Sequence, residues 1–425
     1  MNWRQRYRLR LYFQNSLWIL PTLSIIAALV SVSLLTRYEH AVGSQSNISS
    51  ESMRAIMSTV AGSTFTLVVV VSSAVLLAVQ LASAQLTPRI IAMIYRNPYQ
   101  KLAFAVFVFT FTFSASVLVR IDEAAPRIAS YAAAYGFLLN LALFILFIDH
   151  VGKMLRPSSA VAAVAQSGRA VVRSVYPRLL KIHPTDHSPL NTVTNGEPRT
   201  VLSTIDGTVL AFDMRGLVIM AQRHNCLIEL IPEVGQFVAQ GDPLFRIHGS
   251  NDGPKDRELL NSVAKGSERT SDQDPLFAFR ILVDIASKAL SPAINDPTTA
   301  VIAIDQIHHL LRDVGKRYLG DGRATDQTRQ VRLIYRRPNW DDFVLLATTE
   351  IRHYGRDSIQ VQRRLRAMLK DLIETLPPPR APILQKELTL LASSSKRTFF
   401  DLDDQTLAET GDLQGIGGSY DDMDQ

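Results

Sequence analysis

Four long stretches without a charged residue occupy the first third of the chain, and they restrict its fold more than any other feature. Arg10 and Arg37 bracket residues 11–36, and Arg54 and Arg89 bracket residues 55–88. Lys101 and Arg120 enclose 18 uncharged residues, and Arg127 and Asp149 enclose 21. A helix needs about 20 apolar residues to cross the bilayer interior, so the expectation is four transmembrane helices with cores at 16–36, 60–82, 102–120 and 129–149. With 425 residues, 47% of them hydrophobic, the chain has material for two or three folding units.

The first run follows MNWRQRYRLR, which looks like the basic start of a secretory signal. Its apolar run is too long for a signal core and no small-residue cleavage site follows, so it reads as a retained anchor. Basic residues concentrate on one side of the spans: Arg4, Arg6, Arg8 and Arg10 before the first, Arg89, Arg96 and Lys101 between the second and third, Lys153, Arg156, Arg169 and Arg173 after the fourth. The other two loops hold only Arg37, Arg54 and Arg127. The positive-inside rule then places both termini in the cytoplasm, where the lone Cys226 stays reduced. The net charge of +6 conceals eight acids and no base after Arg397, leaving +14 on residues 1–400. Beside a bilayer the expected partner of that charge is anionic lipid headgroups, not nucleic acid. The basic series Arg352, Arg356, Arg363, Arg364, Arg366 and Lys370 has no accompanying aromatic stacking pattern and reads as a solvated or membrane-facing helix surface.

Past the spans the periodicity changes. Residues 156–198 read as an amphipathic helix and a Pro-rich linker. There His183, Asp186 and His187 fail as a metal cluster because Pro184 breaks the helical spacing. Period-two alternation over 199–250, with Asp206-Gly207 as a hairpin turn, reads as a small β-barrel. Gly235, Val238, Gly241, Asp242 and Leu244 resemble the glycine-turn-strand unit of lipoyl carrier domains, without a lysine at the attachment turn. Residues 272–396 read as a helical subdomain containing one short strand at QVRLIYRRP, and 397–425 as a disordered acidic tail. The fold class expected is therefore membrane α-helical with four spans, plus a cytoplasmic α+β region.

Three segments, QLASAQLTPRII, DGTVLAFD and FAFRILVDIASKALSPAINDPTTA, together resemble the bacterial predicted membrane proteins of domain of unknown function family 2254. The resemblance covers roughly residues 10–400. It implies a bacterial inner-membrane protein with four N-terminal spans and a soluble C-terminal region, and it implies no chemistry.

SPAINDPTTA is the most specific part. Pro292 disfavours helix at Ser291, Asp296 is a good N-cap and Pro297 a good first helical residue, which together make a tight helix-turn-helix corner. Beyond that structural role, Lys288, Asn295, Asp296, Thr298 and Thr299 form a candidate anion site at a new helix N-terminus. Arg280, Asp284 and Lys288 share one helix face. Asp305 and His308 can form a surface pair but lack a third metal ligand in register. In the second span, Ser63, Thr66, Ser73 and Gln80 either permit close helix packing or, in a homo-oligomer, line an aqueous path. No cofactor and no catalytic constellation is expected: Walker loops, Gly-x-Ser-x-Gly elbows and His-Glu-x-x-His are missing. The functional expectation is a channel-like or passive transport protein, with a membrane-anchored sensor or scaffold as the alternative.

Overall fold

The computed structural model describes residues 1–42, 49–121, 127–180, 197–249 and 253–417. They form two compact units, residues 10–159 and residues 1–9 with 160–425. Helix α1 (Trp3–Asn15) begins the chain and is followed in the first unit by α2 (Ile19–Val42), α3 (Ser50–Gln85), α4 (Ile91–Tyr95), α5 (Pro98–Val119) and α6 (Arg127–Met154). The four helices α2, α3, α5 and α6 are long and apolar enough to cross a membrane. At 1.5 Å per residue the 36 residues of α3 run about 54 Å, well beyond a ~30 Å hydrocarbon core.

Helix α5 is the centre of this unit and packs on α2, α3 and α6. Its Phe113 and Val117 meet Ala28 and Val32 of α2, Met53 and Met57 of α3, and Ala129 and Ala133 of α6 in one buried cluster. Alanine at these contacts lets the backbones approach closely, the usual way helices associate without a hydrophobic driving force. At Gly136 of α6 an added Cβ would stand 3.3 Å from Thr110 of α5, so that crossing is already tight. Glu39, near the end of α2, accepts hydrogen bonds from the amides of Ile128 and Ala129, the latter at 3.1 Å. A carboxylate there complements the positive end of α6.

The second unit contains α7 (Pro157–Val175), α8 (Met214–Arg223), α9 (Asp256–Leu260), α10 (Pro275–Ala289), α11 (Pro297–Gly315), α12 (Trp340–Tyr354), α13 (Ile359–Thr375), α14 (Ala381–Thr398) and α15 (Leu402–Glu409). Its strands are β1 (Arg199–Leu202), β2 (Gly207–Phe212), β3 (Leu227–Leu230), β4 (Phe237–Val238), β5 (Pro243–His248), β6 (Val263–Gly266), β7 (Arg323–Thr325) and β8 (Val331–Tyr335). They build two sheets, one ordered β1-β5-β3-β8-β7 and one ordered β4-β2-β6.

Among the described residues no closed barrel forms, which corrects the expectation for 199–250. The strands on either side of Asp206-Gly207 do not pair with each other: β1 joins β5, while β2 joins β4 and β6. Strand β8, expected inside the helical subdomain, lies parallel to β3 with Ile228 opposite Leu333 and Leu230 opposite Tyr335. The cause is burial on both sides of β8. Val331, Leu333 and Tyr335 are all buried, and so is Arg332 between them, as a strand interior to a sheet requires.

The tail also differs from expectation over its described part. Helix α15 starts on an Asp401 side-chain cap, and Asp412, 1% exposed, accepts from the amides of Gln414, Gly415 and Gly417 at 2.9, 2.8 and 2.7 Å. Acid-rich composition misled because Asp412 is spent on backbone amides instead of being left to repel its neighbours.

Candidate functional site

Helix α3 has two faces. Met53, Met57, Val60, Thr64, Val71, Val75, Ala78 and Ala82 are buried within the unit. On the opposite face Thr66, Ser73 and Gln80 are exposed and Ser63 is half-buried. Thr59 is exposed as well and extends the polar series to 59, 66, 73, 80, a strict spacing of seven that drifts only ~20° per repeat around a straight helix. Sequence reading missed Thr59, although the seven-residue spacing alone would have found it. Large apolar side chains flank the series: Val69, Val70, Leu76 and Leu77 are between 42% and 57% exposed. Thr59 and Thr66 hydroxyls donate to Ala55 and Gly62 carbonyls at 2.8 and 3.0 Å, so the threonines tolerate an apolar surface, whereas Gln80 presents a full amide.

The SPAINDPTTA corner forms as its prolines and Asp296 dictate. Helix α10 stops at Ala289, and the amides of Ile294 and Asn295 both donate to the Ser291 carbonyl, at 3.0 and 2.9 Å. Asn295 takes a left-handed φ of 49°, which asparagine tolerates better than most residues. Asp296 caps α11: one carboxylate oxygen accepts from the Thr299 amide at 3.0 Å and the other from the Thr299 hydroxyl at 2.5 Å. Of the five candidate anion ligands the structure thus joins Asp296 and Thr299 to each other. Asn295 and Thr298 are exposed and Lys288 is half-buried. The Asp296 carboxylate takes up the helix-end amide that an anion would use.

Arg280 and Asp284 do share the α10 face, with Arg280 Nε donating to Asp284 at 2.7 Å, but the guanidinium also reaches across to Glu350. That contact accounts for Glu350 on the α12 face that otherwise carries Phe343, Leu346, Ala347, Ile351 and Tyr354. Asp305 and His308 are not a surface pair. Asp305 accepts from Arg364 Nε at 2.5 Å and His308 Nε2 stands 2.6 Å from Asp371. Burial lowers the His308 pKa against the opposing pull of Asp371. Among the described residues no three His, Cys, Asp or Glu side chains are grouped to hold a metal, and His183, Asp186 and His187 lie outside the described residues.

The basic run on α13 is the largest departure. Arg363, Arg364 and Arg366 are 1%, 9% and 7% exposed, not solvated. Arg363 donates to the carbonyls of Thr410 and Gly417 at 3.2 Å each, and Arg366 to that of Ala408 at 3.2 Å. The tail backbone therefore supplies acceptors to guanidiniums that composition alone assigned to water or membrane.

A cavity of about 170 Å³ lies where the loops after β3 and β8 meet the start of α10, and the sequence held no sign of it. Phe212 and Tyr335 form one wall with ring centroids 5.1 Å apart, and the Arg337 guanidinium lies 4.9 Å from the Tyr335 ring and 5.3 Å from that of Tyr176. Gln273 holds the wall by accepting from the Phe212 amide at 3.1 Å. Burial raises the Glu233 carboxyl pKa, reinforced by the charges of Asp342 and Asp274. Burial likewise raises Asp274 against Arg269, whose Nε is 2.5 Å away.

Residues 14–371 match the family described as predicted membrane protein, DUF2254. Two relatives, the uncharacterized protein Rv1290c of Mycobacterium tuberculosis and the uncharacterized protein Mb1321c of Mycobacterium bovis, are each 23% identical over 414 residues, covering 93% of this chain and 79% of theirs. No solved structure matches the chain.

Proposed function

We propose, for a chain that belongs to the DUF2254 family of predicted membrane proteins, a homo-oligomer of the bacterial inner membrane in which copies of α3 surround a passive aqueous path. The observation that carries this reading is the exposed series Thr59, Thr66, Ser73 and Gln80 on the face of α3 that the rest of the unit leaves uncovered. Polar side chains of membrane helices face a bundle interior or a water-filled path far more often than lipid. The charge-free span cores favour passive permeation over an ion-coupled pump. In this reading both termini are cytoplasmic, the second unit assembles or gates the path, anionic headgroups attract the basic flanks, and the protein is not an enzyme.

The alternative, a membrane-anchored sensor or scaffold whose second unit binds a partner protein or an anion at Lys288, Asn295, Asp296, Thr298 and Thr299, has the Asp296 carboxylate already bonded to Thr299 at that helix end to contend with. Cysteines placed singly at Thr66, Ser73 and Gln80 test the leading reading, with buried Val75 as the control and Cys226, itself buried, replaced by Ala. Oxidative cross-linking in native membranes is expected at the first three positions and not at Val75. Liposomes holding the purified protein are expected to leak ions or small solutes, and Ser73→Leu is expected to reduce the leak. Cross-linking that fails along the whole series, or liposomes that stay tight under varied ions, osmolarity and voltage, removes the proposal.

A further inference from the structure

We infer that Leu77 is the constriction of the path along α3, an apolar ring that limits what permeates by size and by ease of dehydration. The inference rests on the reading that copies of α3 surround that path, and it names the residue that controls it.

Helix geometry assigns the role. At 3.6 residues per turn, each residue advances about 100° around the axis. On a straight helix Thr59, Gly62, Thr66, Ser73, Leu77 and Gln80 then fall in one band about 60° wide. All six are exposed, so the rest of the unit leaves the whole band uncovered. Gly62 has no side chain, and a Cβ built there would meet nothing within 4 Å. The serine and threonine side chains are short, and the longer Gln80 ends in an amide that hydrogen-bonds water. Leu77, 55% exposed, is the member of the band that is both bulky and unable to hydrogen-bond water.

The other exposed apolar side chains of this stretch fall outside the band. Val69 and Val70, level with the gap between Thr66 and Ser73, lie about 50° to either side of its centre, and Leu76 lies about 70° away. In a ring of copies that share one orientation, side chains near the centre line point to the axis. Those displaced from it point to the neighbouring copy. Leu77 follows Ser73 by one turn and precedes Gln80 by one turn, so one apolar ring stands between two polar ones.

That arrangement concentrates the barrier. Apolar constrictions control permeation by dewetting, and the polar rings at Ser73 and Gln80 keep water on both sides. An ion that crosses the Leu77 layer sheds hydration with no side-chain oxygen to replace it. Residues 55–88 carry no charge, so side-chain charge adds no filter at that level.

The test uses the full chain, with potassium chloride conductance measured in planar bilayers and glycerol permeability in liposomes. Leu77→Ser and Leu77→Thr are expected to raise both by about tenfold, equivalent to ~1.4 kcal/mol off the permeation barrier, and Leu77→Phe to lower both, while Leu76→Ser leaves them within about twofold. Leu76 is the control because its exposure, 57%, matches that of Leu77. Each variant also carries Ser73→Cys and Cys226→Ala, so that oxidative cross-linking reports whether the copies still assemble. If Ser73→Cys cross-links and the parent leaks, but the Leu77 variants match the parent or Leu76→Ser matches Leu77→Ser, the constriction lies elsewhere and the path along α3 stands. If the parent neither cross-links nor leaks, the path is removed and the inference with it.

Discussion

Arg280 and Glu350 tie α10 to α12 through two parallel hydrogen bonds, Nη1 to Oε1 at 2.5 Å and Nη2 to Oε2 at 2.6 Å. Such a fork fixes both distance and orientation between the helices. Glu350→Ala is expected to lower unfolding stability in detergent by about 1–2 kcal/mol, a modest figure for a charge-assisted pair because the Glu350 side chain is 44% exposed and solvent screens it. Glu350→Gln, which keeps one acceptor, is expected to lose less. Denaturation curves of the three proteins decide it, and equal stability for all would make the pair a surface contact only.

Asp412 organises the end of the chain. Burial works against its charge, but the amides of Gly417, Gly415 and Gln414 outweigh burial and hold its carboxyl below the ordinary carboxylate range. Asp412→Ala leaves those donors without an acceptor and is expected to cost about 1–3 kcal/mol. It should also release the carbonyls that Arg363 and Arg366 use, so limited proteolysis should cut within residues 400–417 well before it cuts the parent. An unchanged digestion pattern would show that the arginines hold the tail without it.

His308 makes stability depend on pH in a stated direction. Its folded pKa is lowered from 6.5, first by burial and then by Arg364 and Arg312, with Asp371 pulling the other way. At high pH the ring is neutral in both states, so nothing is lost. As pH falls through 6.5 the unfolded chain takes up the proton first, and stability drops. His308→Gln is expected to flatten the melting temperature between pH 7.5 and 5.5 relative to the parent. A parent curve already flat over that window would contradict it.

Gly168 is where α7 meets α10. A Cβ there would stand 2.5 Å from the Ala278 Cβ, closer than two methyl carbons can come. Gly168→Ala is expected to destabilise the second unit by about 1–3 kcal/mol through overpacking. Adding Ala278→Gly should recover part of that loss, and a double variant no more stable than Gly168→Ala would place the strain elsewhere. A double-mutant cycle by thermal melting measures the coupling.

Much of the fold was legible in local pattern. Four apolar spans and the Asp296-Pro297 helix start appear where sequence placed them. The candidate sites were legible only in part. The polar face of α3 follows from spacing, because a helix converts sequence distance directly into angle. The 170 Å³ cavity does not, since Tyr176, Glu233 and Arg337 come from three loops far apart in the chain.

The sequence by itself determined the four apolar helices and the corner at residues 291–300, because these depend on neighbours within one or two turns. Tertiary structure alone decided that β8 pairs with β3 and not within its own segment, that Arg363 and Arg366 are buried, and that Asp412 serves amides instead of solvent. A lone charged or apolar residue carries no record of which distant backbone will meet it. That meeting is settled when separated segments compete for burial and for each other's hydrogen-bonding groups, and in this chain the acidic end took the place that water would have had on α13.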